Sequence, residues 1–192
     1  MKQLRLCIFG HSGSGKSTTA GYFLETLQEK GYRVDTIKLA EPLYQLQKKI
    51  YAAAGRSIDH YAQDQQVLEW LAQQLRKINP ASLVEDFEKR LKLSQANVIL
   101  NDDLRDKEVD YLYLKKMGFI FIRMKVKKQV AYKRLQKRHD LNTVFRSSAS
   151  RDIDVMTSDI DIENNGASLN DLKRKLDDTL TSLITKTFDN LD

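Results

Sequence analysis

Hydrophobic positions along this chain switch between two periods, and the switches mark out alternating strands and helices. Residues 4–9, Leu4-Arg5-Leu6-Cys7-Ile8-Phe9, form a short apolar run of strand length. From residue 16 to about 30 the spacing becomes helical, with Ala20, Phe23, Leu24 and Leu27 on one face and Gly31 as a left-handed stop. Residues 32–39 alternate as a second strand. Pro42 then suits the first turn of a helix that carries Leu43, Leu46, Ile50 and Ala53-Ala54 and ends at Gly55. After a loop over 56–60, residues 64–78 predict a helix with Val67, Leu68, Leu71, Leu75 and Ile78 on its buried face. Asn79-Pro80 closes it and opens another helix to residue 92.

The second half repeats the alternation. Residues 97–103 read as a third strand with carboxylates at its carboxyl end, 106–117 as a helix ended by Gly118, and 119–124 as a fourth strand. A basic helix over 127–138 follows, then a polar stretch, 140–158, to which the pattern assigns no conformation. Ile160-Asp161-Ile162-Glu163 predicts a last strand, Asn164-Asn165-Gly166 a turn, and Ser168-x-x-Asp171 resembles a capping box for a final helix to residue 187. Strands alternating with helices predict an α/β domain, a mostly parallel five-stranded sheet covered by helices on both faces. No internal repeat or linker-like stretch divides it, so residues 1–192 are expected to form one domain.

Composition narrows this picture in three ways. Hydrophobic residues make up 41 %, enough for a proper core, while two prolines leave no Pro-rich spacer. Apolar runs are a few residues long, far below the ~20 that span a bilayer, and Met1-Lys2-Gln3 leads straight into a strand; no membrane partner is expected. The single cysteine, Cys7, lies mid-strand and reads as core packing in a reducing, cytoplasmic setting. Charge is distributed unevenly. Between Tyr111 and His139 there is no acidic residue, while Lys115, Lys116, Arg123, Lys125, Lys127, Lys128, Lys133, Arg134, Lys137 and Arg138 crowd in, within a net charge of +6. Such a block favours a polyanion, either nucleic acid or the phosphates of a nucleotide.

Between the first strand and first helix stands Gly10-His11-Ser12-Gly13-Ser14-Gly15-Lys16-Ser17, followed by Thr18. This is the phosphate-binding loop pattern G-x-x-x-x-G-K-S. Glycines let backbone N–H groups approach phosphate oxygens, Lys16 supplies an ammonium for the β- and γ-phosphates, and the Ser17 hydroxyl suits Mg²⁺. With that loop present, nucleotide phosphates explain the basic block better than nucleic acid does. Ligands of such sheets lie beyond the carboxyl ends of the strands, which draws attention to Asp102 and Asp103 as candidate Mg²⁺-organising carboxylates. The alternative is a helix N-cap at Asp103 or Asp106. Arg105 is a candidate for a substrate phosphate, or a plain surface arginine. Arg134 and Arg138, spaced i, i+4, share a helix face that either closes over the transferring phosphate or is simply solvated. Trp70 reads as core packing ahead of base stacking, and Arg76 as a phosphate contact. His11, His60 and His139 lack metal-ligand spacing.

Taken together, the chain resembles the phosphate-loop nucleotide kinases. It is most similar to phage-type deoxynucleoside monophosphate kinases and, more distantly, to dephospho-coenzyme A kinases. The resemblance rests on residues 10–18, on Leu39-Ala40-Glu41-Pro42-Leu43, on the acid-x-Arg step Asp103-Leu104-Arg105, and on Ile160-Asp161-Ile162-Glu163-Asn164-Asn165-Gly166 with the helix after it. It implies strand order 2-3-1-4-5, ATP and Mg²⁺ as cofactors, Asn165 and Gly166 beside the adenine, a lid within 125–158, and a small nucleotide as phosphate acceptor. The acid-x-Arg step favours Asp103 over Asp102. Lys38-Leu39-Ala40 stands where dephospho-coenzyme A kinases carry Asp-Ala-Asp, which argues against that acceptor. A kinase for another small metabolite, or a nucleotide-binding regulator that engages RNA through 115–138, are the competing readings.

Overall fold

The computed structural model describes residues 2–137, 149–166 and 169–189. Five strands, β1 (Leu4–Phe9), β2 (Val34–Thr36), β3 (Val98–Asn101), β4 (Ile120–Lys125) and β5 (Ile160–Glu163), form one sheet in the order β2-β3-β1-β4-β5. Every pairing is parallel, so the sheet is wholly rather than mostly so. The helices are α1 (Lys16–Glu29), α2 (Glu41–Ala53), α3 (Gln65–Ile78), α4 (Ser82–Leu93), α5 (Asp110–Lys116), α6 (Lys128–Lys137), α7 (Ala149–Val155) and α8 (Leu169–Ile184).

Strand alternation sends side chains into two separate cores. Leu4, Leu6 and Ile8 of β1 join Val98, Leu100, Ile122, Met124 and Ile162 under α1 and α8, packing on Phe23, Leu27, Leu172, Leu176 and Leu180. On the opposite face Cys7, Phe9, Ile99 and Phe121 pack against Phe87 and Leu91 of α4, Leu114 of α5, and Ile153 and Met156. All four residues of β3 are buried, as a central strand with both faces covered requires. A third, smaller core joins Leu43 and Tyr44 of α2, Leu68 and Leu71 of α3 and Leu83 of α4, making a helical flap beyond the β2 edge.

Several sequence boundaries move. β2 shrinks to three residues because it is an edge strand whose Asp35 and Thr36 face solvent. Asp64 caps α3 by accepting from Val67 N–H. The face assigned to α3 is too wide: Ile78 is 83 % exposed, and Trp70 is 55 % exposed rather than in the core. Ile50, Ala53 and Ala54 at the end of α2 are likewise exposed, so only its first half packs inward. α5 starts at Asp110 because the Asp106 carboxylate accepts from the N–H groups of Glu108, Val109 and Asp110, holding 106–109 as a capping turn. α7 supplies structure within the stretch left unassigned. α8 ends at Ile184 and continues as a π-helical segment, Thr185–Asp189, whose Phe188 stacks on Tyr32. The capping-box Ser168 lies outside the described residues. Among the described residues no helix is long and apolar enough to cross a membrane.

Candidate active site at the carboxyl ends of the strands

β1 delivers its chain into residues 10–16 with three glycines at positive φ, 147° at Gly10, 78° at Gly13 and 96° at Gly15. Conformation and space both demand glycine here. A Cβ on Gly10 would meet the Met124 carbonyl at 2.5 Å, one on Gly13 the Ala131 carbonyl at 3.0 Å, and one on Gly15 the Asn164 Nδ2 at 2.4 Å. Ser14 N–H and Lys16 Nζ both donate to the His11 carbonyl, each at 3.1 Å, so the loop curls around its own backbone with the Lys16 side chain folded against it. Among the described residues Ser14 Oγ is buried without a hydrogen-bond partner. Ser17 and Thr18 are exposed at the start of α1. Their N–H groups and the helix dipole there favour an anion.

Two other elements clasp this loop. From α6, Arg134 donates through Nη1 to the Gly13 carbonyl at 3.1 Å and through Nη2 to Asn164 Oδ1 at 3.0 Å. Asn164, just after β5, donates its Nδ2 to the Ser14 carbonyl at 2.9 Å. Asn165 accepts from Lys127 N–H, and Gly166 turns the chain at φ 85°, close to Val130. Arg134 thus holds the phosphate loop itself. Arg138 lies outside the described residues. From α7, Asp154 meets His11 Nε2 at 2.7 Å, and Asp152 approaches Lys107 at 3.8 Å, while Ile153 and Met156 anchor this segment in the core. Within the lid range of 125–158, α6 and α7 therefore both contact the phosphate loop.

The carboxyl end of β3 lies beside the loop, since Cys7 pairs in register with Asn101. Here the two adjacent carboxylates differ in use. Asp103, favoured on sequence as the metal-organising group, accepts from the N–H groups of Leu39 and Ala40, both at 2.9 Å, and from Asn101 Nδ2 at 2.7 Å. It ties the β2–α2 turn to the end of β3. Burial pushes its carboxyl up, and Lys38 and those two amides only partly pull it back. Asp102, 7 % exposed, instead meets Lys38 Nζ at 2.5 Å. Burial works against the Lys38 charge, yet attraction and the hydrogen bond from Asp102 prevail and hold its ammonium above the ordinary lysine range. Cys7 Sγ, 3.5 Å from Asn101 Oδ1, has its thiol pushed well up by burial and by both aspartates, which makes it inert packing.

Next to Lys38 the flap presents a polar and aromatic cluster. Glu41 accepts from Tyr61 and meets His60 Nε2 at 2.8 Å; Tyr61 packs edge-on to Tyr44, and Lys38 Nζ lies 5.7 Å from the Tyr61 ring centre. Burial raises the Glu41 carboxyl, but Gln45 and His60 outweigh it and leave it below the usual range. Burial, and then the Asp103 charge, raise the Tyr44 phenol. Arg105, two residues past Asp103, is half-buried. Arg76 is not aimed at the site in this conformation: its guanidinium pairs with buried Asp110 at 2.5 Å. Burial raises the Asp110 carboxyl to about 6 despite Arg76.

For a hard cation such as Mg²⁺ the protein offers oxygen donors, the Ser17 hydroxyl and the Asp102 carboxylate. Among the described residues no cluster of three or more His, Cys, Asp or Glu forms a cage. Sequence reasoning passed over Lys38, Asn164 and Asp154 as site residues. Their partners lie 64, 150 and 143 residues away, so only the fold brings them together.

The strand order and the glycine cradle after β1 define a phosphate-loop NTPase fold with the kinase-type order β2-β3-β1-β4-β5. Solved structures share this fold over almost the whole chain. TT1252 from Thermus thermophilus superposes with a TM-score of 0.55 at 20 % identity, covering 95 % of this chain and 99 % of that one. Shikimate kinase from Acinetobacter baumannii, solved with shikimate, gives 0.52 at 14 % identity over 94 % of each chain. APS kinase from Mycobacterium tuberculosis, solved with AMPPNP and APS, gives 0.51 at 16 % identity over 94 % and 98 %. No protein-family model matches the chain, and no curated protein matches it by sequence.

Proposed function

We propose that this protein transfers the γ-phosphoryl group of ATP to a small phosphorylated acceptor, a (deoxy)nucleoside monophosphate, in the cytoplasm. The observation that carries the reading is the three-glycine loop at the end of β1, closed over Lys16 and facing an acidic β3 terminus. The small-metabolite kinases that share the fold support ATP-dependent phosphoryl transfer in general.

In this reading Lys16 and the N–H groups of residues 13–18 hold the ATP phosphates, Asn165 and Gly166 line the adenine, and Ser17 with Asp102 holds Mg²⁺. The bound metal supplies charge neutralisation at the phosphates. The acceptor oxygen attacks the γ-phosphorus while the bond to the β–γ bridging oxygen breaks; Lys16 draws off the charge that develops there. Arg105 orients the acceptor, and Asp103 fixes the loop over which the acceptor enters. Arg134 keeps the phosphate loop in its binding shape, and Arg138 adds positive charge toward the transferring phosphate. No covalent enzyme intermediate is required, which agrees with a site built from Lys, Arg, Ser and Asp.

The test is ADP release from Mg·ATP in the presence of ribo- and deoxyribonucleoside monophosphates, with nucleosides and dephospho-coenzyme A as competing acceptor classes. One nucleoside monophosphate should raise ADP release well above the acceptor-free rate. If only a compound from the competing classes does so, the acceptor assignment is wrong. If nothing does, the kinase reading falls.

A further inference from the structure

Asp102 already has a cation from within the chain. Its carboxylate is 7 % exposed and would be strained without a countercharge, and the Lys38 ammonium fills that need at 2.5 Å. Lys38 reaches it from a backbone that cannot shift easily. The Lys38 carbonyl accepts from Arg90 Nη2 at 2.7 Å, and the next two N–H groups are held by Asp103. Only the side chain is left to move. A second partner is already within reach: Nζ lies over the face of Tyr61, 5.7 Å from the ring centre, and that ring is 53 % exposed with its hydroxyl donating to Glu41. A divalent cation arriving at this buried carboxylate is repelled by the ammonium already on its Oδ1, strongly at such separations.

We infer that Lys38 is an interlock: its side chain occupies the cation position at Asp102 until Mg·nucleotide displaces it, and the displaced ammonium turns toward Tyr61 to receive the anionic group of the acceptor. This deepens the function proposed above and rests on its assignment of Asp102 to the metal. Before the metal arrives, Lys38 is unavailable to the acceptor. Afterwards it needs a new anion, so metal-nucleotide and acceptor favour one another. Lys38 is accordingly a positioning and specificity residue that selects acceptors carrying a negative charge.

The experiment measures ADP affinity by calorimetry with Mg²⁺ and with EDTA and takes their ratio as the metal dependence. Lys38→Gln keeps a hydrogen-bond donor to Asp102 without its charge, and should raise the ratio about tenfold over wild type, as for an ordinary coupling between sites. Asp102→Asn should collapse the ratio with either residue at 38. Inorganic phosphate, the anion probe, should raise the ratio in wild type and not in Lys38→Gln. An unchanged ratio in Lys38→Gln, with Asp102→Asn still lowering it, overturns the interlock and leaves the metal assignment standing. A ratio that Asp102→Asn does not alter overturns the metal assignment and the interlock with it. A variant-free check is a crystal structure of the wild type with Mg·ADP. Lys38 Nζ should lie beyond ion-pair distance of Asp102, and its retention there contradicts the inference.

Discussion

Adjacent residues of one chemical type can do different work, and Asp102 and Asp103 are such a pair. Asp103→Asn should act on stability: an amide accepts through one oxygen and turns an NH₂ toward the other backbone N–H, losing about 1–3 kcal/mol, read by denaturant or thermal melts. Asp102→Asn should instead lower turnover by ~10²-fold or more, as other preorganised charges do. Lys16→Ala should remove most turnover while shifting stability by about 1 kcal/mol or less, because in the fold its ammonium makes a hydrogen bond to the His11 carbonyl. Asp110 carries a pH signature. Its folded-state pKa, about 6, exceeds the ordinary aspartate value of 3.8, so its stabilising contribution is complete below that ordinary value. The contribution disappears as pH rises through 6. Asp110→Asn should therefore gain on wild type between pH 5 and pH 7.5, by roughly 3 °C or more in melting temperature. A gap that narrows over that range contradicts the assignment.

At the scale of elements, the phosphate loop is held by contacts from three directions, α6 through Arg134, the β5–α8 turn through Asn164, and α7 through Asp154. Asn164→Ala should raise the KM for ATP several-fold with a smaller change in kcat, because it releases the loop carbonyl of Ser14 without touching the reacting atoms. Strand and helix positions were legible in sequence wherever burial follows a simple period, as in β1, α1 and the β3 run Val98-Ile99-Leu100. They were less legible where a side chain overrides the period. Asp106 delays α5 by capping with its carboxylate, and the apolar stripe of α3 runs beyond the surface that α2 and α4 cover, leaving Trp70 and Ile78 outside. The pattern alone carries the third strand to residue 103. β3 ends at Asn101, and it is the β2–α2 turn that separates the roles of Asp102 and Asp103.

The molecule as a whole brings the carboxyl ends of β1 and β3 together, with α6 and α7 contacting residues 10–16 on one side and Lys38, Glu41 and Tyr61 clustered by Asp102 at the end of β3. The phosphate loop was legible because its chemistry is local, eight consecutive residues between a strand and a helix. The cluster by Asp102 was not, because Lys38 meets Asp102 only through a 64-residue excursion of helices and a parallel crossover. That arrangement makes the central claim one of phosphoryl transfer between two bound small molecules, and ADP formation tests it directly. With Mg·ATP, the wild type should form ADP in step with phosphorylation of one nucleoside monophosphate, and Lys16→Ala at matched fold stability should abolish that signal. Acceptor-independent ADP release that survives Lys16→Ala, or no acceptor phosphorylated across the panel, would contradict it.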